Sequence, residues 1–491
     1  MKKNSNLAIV EYITNVVVLF FVYRIIIVHL GIEGLGMWSL LLSLFSITSL
    51  GNAGIASGTV KFIAEYKSED DNQNLLNVLF NSVLIVLGFT FLIFGVIYII
   101  LELLPPNVIS QSERKIITPL VPIIALSYLI AIVGRIFLSV LDGLNLIYLR
   151  SIIGIISKCF FLAFVILLIE KHGLIGLTYA NLIQFIVILI VAGYYCIRLL
   201  NVRLSNFGRL NRKIFKQILS YGLQFQLSSI FQMLMDPVTK FFLKDLGGIV
   251  SVGNFEVLYK VYIQIRQFIV VLVIVIVPQI SKLNKISPKK LKPLFVKVSS
   301  DIFLMTLILF NIAFCFMPLF LSLLGVPYSE YLHFFSIIIY LGLIFNIIGV
   351  VPYYFNAGTG DLRGNTISSF ILALTNVCLC LLFGYLLSLS AKGIVISWTI
   401  SQLIANVYLS FSYYKKNNIP IFLSKDLVTF IMINIFYLIS SAFINLLLDL
   451  NLFLVFGLNI SLLIVLMILI YKTNLLAKKH MSNIRNLIYF G

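Results

Sequence analysis

The sequence predicts an all-α polytopic membrane protein of about 14 transmembrane helices. Three observations predict it. Of the 491 residues, 60% are hydrophobic and only 11% are charged, with a mean hydropathy of +1.07. A water-soluble domain is nearer half apolar and a quarter charged. The apolar residues form runs too long and too frequent for soluble cores, and the charged residues collect between the runs.

A helix needs about 20 apolar residues to cross the hydrocarbon core. Candidate spans run over 7–30, 35–59, 78–101, 116–141, 149–169, 174–199, 218–243, 250–280, 298–325, 331–356, 366–389, 393–414, 427–448 and 452–471. The first run is long enough to stay as a helix, and no small-residue cleavage site follows it. The first and second spans divide at Gly31 to Gly34, and the seventh carries Asp236, Pro237 and Lys240.

Charge tests this count. The net charge is +18. With the N-terminus inside and strict alternation, 25 Lys and Arg residues fall in inner segments and 6 in outer ones. Inner enrichment of this kind is the positive-inside rule, so an even count with both ends inside is expected. The same rule accounts for the basic balance, and short basic runs separated by spans do not make a nucleic-acid surface. Trp38 and Trp398 fall near predicted outer ends, as interface anchors. Lys240 is expected near the outer interface of the seventh helix. The longest outer loop is only about Glu102 to Lys115, too short for an inserted domain.

An internal repeat is visible. Leu30-Gly31 matches Leu246-Gly247, Leu149-Arg150 matches Leu362-Arg363, and Lys171-His172-Gly173 matches Ala391-Lys392-Gly393, at offsets of 216, 213 and 220 residues. Six helices per copy is an even number, so both copies have one orientation, as in parallel transporter repeats whose halves rock about a central site. This gives an N-terminal six-helix bundle over 1–200 and a basic cytoplasmic linker over 201–217. A second six-helix bundle follows over 218–416, with helices 13 and 14 and a basic tail over 417–491. The alternative is a duplication that merely enlarged the protein.

A charged side chain at mid-membrane costs about 2.5–3.5 kcal/mol on insertion scales and usually lines a cavity or carries function. The candidates are Arg24, Arg135, Lys158, Lys260 and Arg266 among the basic residues, and Asp236 and Glu256 among the acidic ones. Asp236 and Lys240 are four apart, as are Glu256 and Lys260, so these pairs are expected to balance each other along one helix face. Arg24, Lys158 and Arg266 have no such neighbour. Arg24 and Lys158 have the alternative of snorkelling to a membrane surface. The surplus positive charge suggests an anionic cargo, such as a diphosphate or an acidic sugar. Asp236 and Glu256 are candidates for charge balance or cation coupling. The basic loops near 200–217 and 281–297 either contact anionic headgroups or only set topology.

No motif for chemistry is present: no phosphate loop, no zinc-helix motif and no Ser/His/Asp set in context. His29, His172, His333 and His480 are scattered near helix ends or in the tail. Cys159, Cys196, Cys315, Cys378 and Cys380 lie in apolar runs without metal-ligand spacing, as small buried hydrophobes. No catalytic residue, metal or cofactor is expected.

Arg24, Leu30-Gly31-Ile32-Glu33-Gly34-Leu35-Gly36, Ser49-Leu50-Gly51-Asn52-Ala53-Gly54-Ile55, Lys61 and Glu65 together resemble the opening of Wzx-type polysaccharide repeat-unit flippases. Tyr221-Gly222, Pro237, Gly253, Tyr259 and Pro278-Gln279-Ile280-Ser281 resemble the start of their second half. Helix count and repeat agree, so the resemblance covers nearly the whole chain. Its loose Gly and Pro patterns identify a family and not a substrate. That family belongs to the multidrug/oligosaccharidyl-lipid/polysaccharide (MOP) exporter superfamily.

The resemblance implies two six-helix bundles related by pseudo-twofold symmetry and a cationic central cavity. It implies alternating access that flips undecaprenyl-diphosphate-linked oligosaccharide from the cytoplasmic to the outer leaflet of the bacterial inner membrane. The product is O-antigen (lipopolysaccharide), capsule or exopolysaccharide, with a polysaccharide polymerase and a chain-length regulator as partners. Arg24 matches the helix 1 arginines of flippases for lipid-linked substrates. Within the superfamily the alternatives are a cation-coupled multidrug antiporter of the MATE type and a lipid II flippase. From another class, a membrane polysaccharide polymerase is disfavoured by the short outer loop.

Overall fold

In a computed structural model, the structure describes residues 2–46, 50–103, 118–200 and 208–419, with 432, 437 and 440. The expected helices 13 and 14, the outer loop near 104–115, most of the linker and His480 lie outside them. Regular structure in the described residues is helical throughout. In chain order it comprises α1 (Lys2–Ser46), α2 (Leu50–Ser68), α3 (Asn72–Leu103), α4 (Leu120–Gly143), α5 (Ile147–Leu199), α6 (Arg212–Ile274) and α7 (Val277–Ile286). A 3₁₀ turn (Pro288–Lys290) leads into α8 (Leu291–Leu324), α9 (Glu330–Thr359) and α10 (Arg363–Leu379). A π-helical segment (Cys380–Leu386) then precedes α11 (Ser390–Lys416). Among these, nine helical stretches are long and apolar enough to cross a membrane.

Three of the nine are each broken at one residue. Gly31 breaks α1 with φ 69° and ψ −178°, Gly173 breaks α5, and Gly248 breaks α6 with φ 72° and ψ 173°. The values at Gly31 and Gly248 belong to a region that essentially only glycine enters, because a Cβ would collide with the backbone. Each break separates two helical arms within one continuous stretch and stands where a loop would otherwise be needed. The sequence matched Gly31 with Gly247, whereas the break itself is at Gly248.

Contacts divide the chain into two compact units, Met1–Pro237 and Val238–Gly491, so the division falls inside α6. In the first unit α5 packs on α4 and α1, and α2 packs on α3 and α4. Ile63, Val78, Ile136, Val140, Ile153 and Ile218 are central to its apolar core. Asn77 and Asn81 of α3 hold the chain entering α6. The Arg209 N–H donates to Asn77 Oδ1 at 2.9 Å, and Asn81 Nδ2 donates to the Arg209 carbonyl at 3.0 Å. In the second unit α9 packs on α11, and α10 packs on α11 as well.

The repeat reappears as packing. A Cβ on Gly143, at the end of α4, would lie 2.7 Å from Ile63 Cγ2 and 2.9 Å from the Val60 carbonyl oxygen. A Cβ on Gly358, at the end of α9, would lie 2.8 Å from Ile280 Cγ2 and 3.3 Å from the Val277 oxygen. The same helix corner is therefore built twice, by α4 on α2 and by α9 on α7. Small residues at such crossings let helices approach where no hydrophobic force drives them together in lipid.

Several expectations are corrected. The span expected over 250–280 ends at Ile274, and α7 begins after a short turn. Pro278 stands in the first turn of α7, where a missing N–H costs nothing. Ile280 is fully buried beneath this short helix, while Lys282 and Lys285 are exposed. Trp38 and Trp398 are each 3% exposed and pack in the interior rather than standing free as anchors. The Trp398 ring meets Phe255 and Tyr259 edge to face at 5.8 and 5.7 Å. Cys159 and Cys378 lie on exposed helix faces, while Cys196, Cys315 and Cys380 are buried.

Candidate functional site

Two polar constellations occupy the apolar interior of the second unit. The first joins the two arms of α6 on either side of Gly248. Lys240 Nζ lies 2.9 Å from Glu256 Oε2, and Lys260 Nζ lies 3.3 Å from Glu256 Oε1. The Lys240 and Glu256 side chains are 5% and 4% exposed, and that of Lys260 is 34% exposed. One carboxylate thus serves two ammonium groups, one sealed and one open. The residue before Lys240 is also engaged, since Thr239 Oγ1 accepts from Asn376 Nδ2 of α10 at 3.0 Å.

The Glu256–Lys260 pair expected from the sequence is present. Lys240 is buried against Glu256 rather than standing open at a surface. Lys240 and Glu256 stand equally far before and after Gly248, so the hairpin made by that break sets them opposite each other. Burial of a lone ammonium would be prohibitive, and the adjacent carboxylate is what permits it.

The second constellation is a relay of side-chain amides ending on Arg266. Arg266 Nε donates to Asn346 Oδ1 of α9. Asn346 Nδ2 donates to Gln402 Oε1 of α11 at 2.9 Å, and Asn406 Nδ2 donates to the same oxygen at 3.3 Å. Gln402 and Asn406 are buried. The relay fixes the guanidinium with neutral groups. Among the described residues no carboxylate forms an ion pair with Arg266. Tyr259, Tyr354 and Tyr353 lie near the guanidinium, and Tyr259 stacks on Phe255 at 5.4 Å. A permanent cation is thereby presented among aromatic hydroxyls, a setting suited to an anionic, hydroxyl-rich ligand. Asn346, Gln402 and Asn406 were not singled out as site residues in the sequence. Their signal is an isolated amide within an apolar helix, which needs a partner and therefore marks a helix contact.

The remaining candidates are dispersed. Arg24 on α1 and Arg135 on α4 lie on exposed helix faces of the first unit. Lys158 on α5 is half-buried, with Nζ 6.0 Å from the Phe161 ring centroid. Asp236 on α6 is half-buried at the end of the first unit. The ion pairs of this unit lie near helix ends, where Arg150 reaches Glu11 at 3.6 Å and Asp142 at 3.5 Å.

Helical hairpins repeated in two units, with cations held on long apolar helices, make up a multi-pass all-α membrane fold. Solved structures of the MOP superfamily share it. The inward closed lipid II flippase MurJ aligns with a TM-score of 0.72 at 17% identity, over 96% of this chain and 98% of that one. An inward-facing multidrug resistance MATE family transporter aligns at 0.71 and 16% identity, over 83% and 94%. A MOP superfamily transporter from Pyrococcus furiosus, reported with a binding pocket of reverse polarity, aligns at 0.60 and 17%, over 85% and 96%. No sequence match is found among curated proteins. The family described as polysaccharide biosynthesis protein matches residues 2–284, more than half of the chain, and this chain belongs to that family.

Proposed function

We propose that this protein flips undecaprenyl-diphosphate-linked oligosaccharide repeat units from the cytoplasmic to the outer leaflet of a bacterial inner membrane, by alternating access. The observation that carries this reading is Arg266. It is a fixed cation inside an apolar helix, held by an amide relay, with no acid paired to it among the described residues. A diphosphate supplies the missing negative charge, and Arg binds phosphoryl oxygens in a bidentate fork. Lys260 adds an accessible ammonium as a second cation, and Arg24, Arg135 and Lys158 are proposed to guide the anionic headgroup along its path. Membership of a polysaccharide biosynthesis family supports a glycan cargo, and the MurJ-like fold supports a lipid-linked one. No catalytic step is part of this reading. Both termini are proposed to be cytoplasmic, and a polysaccharide polymerase and a chain-length regulator would act on the delivered units.

The test is complementation in a strain lacking the gene, at matched membrane levels. Wild type and Lys289→Ala should restore surface polymer. Arg266→Ala and Arg24→Ala should leave full-length, diphosphate-linked units in the inner leaflet. Polymer that persists without the gene, together with new drug sensitivity, would replace this reading with multidrug antiport. Single repeat units reaching the outer surface with only elongation lost would make the protein a polymerase.

A further inference from the structure

The Lys240–Glu256–Lys260 cluster sets two lysines against the two oxygens of one carboxylate, and the two lysines differ in access. Glu256 is already neutralised by Lys240 at 2.9 Å, and both side chains are almost fully enclosed. Lys260 holds the other carboxylate oxygen at 3.3 Å while a third of its side chain stays open. If Lys260 were the sole partner of Glu256, leaving the pair would strand a buried carboxylate, which is strongly unfavourable. With Lys240 in place, that penalty is removed.

We infer that Lys240 is a built-in counter-cation whose role is to free Lys260 for exchange between Glu256 and a phosphoryl group of the cargo. The inference rests on the proposed anionic cargo and deepens it. Lys260 is the residue that touches the ligand, and Glu256 and Lys240 are positioning residues that act through it. When a phosphoryl oxygen arrives, Lys260 swings from Glu256 to the ligand and Glu256 remains paired with Lys240. When the ligand leaves, Lys260 returns. Lys260 therefore always has an anionic partner, and the site has no state with a stranded charge. The i,i+4 spacing of Glu256 and Lys260 lets a side-chain rotation make this exchange without moving the helix.

A rescue design tests it, using the full-length protein in lipid nanodiscs and sodium pyrophosphate as the probe. The readout is acylation of the Lys260 amine, followed by mass spectrometry. In wild type, Lys260 should be labelled, and pyrophosphate should slow its labelling at least about fivefold. Lys240→Met removes the counter-cation, so Lys260 should be held by Glu256 and pyrophosphate protection should weaken by about tenfold in concentration. Adding Glu256→Gln to Lys240→Met should return protection to within about twofold of wild type, because neither buried charge then remains. A merely structural role for the pair predicts no such return.

The inference is overturned if wild-type Lys260 is not labelled, if pyrophosphate does not protect it, or if the double variant stays as weak as Lys240→Met. Tryptophan fluorescence melting of each variant identifies one that fails to fold, and the comparison is then made with Lys240→Gln. Complementation separates this result from the wider reading. Loss of the exchange with polymer export intact removes only the triad's role. An intact exchange without glycan export keeps an anion site and removes the cargo assignment.

Discussion

The two units build the same corner and use their charges differently. Gly143 on Ile63 in the first unit and Gly358 on Ile280 in the second are nearly the same contact. In the first unit, however, Arg24 and Arg135 stand on exposed faces, and Arg150 meets its acids at 3.5–3.6 Å with side chains 24–39% exposed. In the second, Lys240 and Glu256 are sealed at 2.9 Å, and Arg266 is tied through three amides to α9 and α11. The repeated corner thus accompanies sealed charge in one unit and exposed charge in the other. The frame is set by small residues and apolar contacts, which leaves the polar interior free to diverge.

The largest test of that contrast is removal of one acid from each unit. Glu256→Gln takes the carboxylate from beside a buried ammonium and should destabilise the protein by about 3–5 kcal/mol. Glu11→Gln removes an acid from a partly exposed pair and should cost no more than about 1 kcal/mol. Melting of the purified variants in detergent reads both, and similar losses would erase the distinction. Next, Gly143→Ala and Gly358→Ala should each cost about 1–3 kcal/mol, since an added methyl presses on an isoleucine and a carbonyl in both corners. Markedly unequal losses in the same melts would mean that the frame is not shared.

Asn346→Leu removes the acceptor of Arg266 Nε and the donor to Gln402, and should cost about 1–2 kcal/mol. On the proposed function it should also lower glycan export more than it lowers membrane level, which quantification of both would show. The smallest effect is expected at the α9–α10 corner. There a hydrogen bond from Lys416 holds the Asp361 carboxyl below the usual carboxylate range, helped by the charges of Lys416 and Arg363. A lowered folded-state pKa means that its stabilisation is complete above the ordinary carboxylate value, about 3.9, and is lost as pH falls through the lower folded value. The pair is solvent-exposed, so Asp361→Asn should cost under about 1 kcal/mol at pH 7. Its melting difference from wild type should vanish in strong acid.

Much of the fold is legible in the sequence because each span must satisfy length and apolarity by itself. Gly31 is likewise legible as a break, since it interrupts an otherwise continuous run. Partnership across the fold is less accessible. Gly54 and Gly222 belong to separate motifs of the sequence, yet a Cβ on Gly54 would lie 2.3 Å from the Gly222 carbonyl oxygen. No periodicity connects them. The pairing of Lys240 with Glu256 is hidden for a different reason. Reading along a helix face offers only neighbours four residues apart, such as Glu256 and Lys260, whereas Lys240 and Glu256 face each other across a hairpin whose break must first be located at Gly248. Asn346, Gln402 and Asn406 look like ordinary polar interruptions until α9 and α11 are placed beside α6.

The single-residue break at Gly31 has a mechanical consequence. A loop of several residues absorbs a twist by sharing it among many dihedrals, whereas this junction has one left-handed residue with a helix on either side. The helix beyond it, residues 32–46, is a rigid arm about 22 Å long at 1.5 Å per residue. A change of only about 10° in direction at Gly31 would sweep the far end of that arm through roughly 4 Å, close to the width of a phosphate group. On the proposed function, the glycine would serve as a fulcrum, turning a small rotation into a displacement on the scale of the cargo's headgroup about 22 Å away.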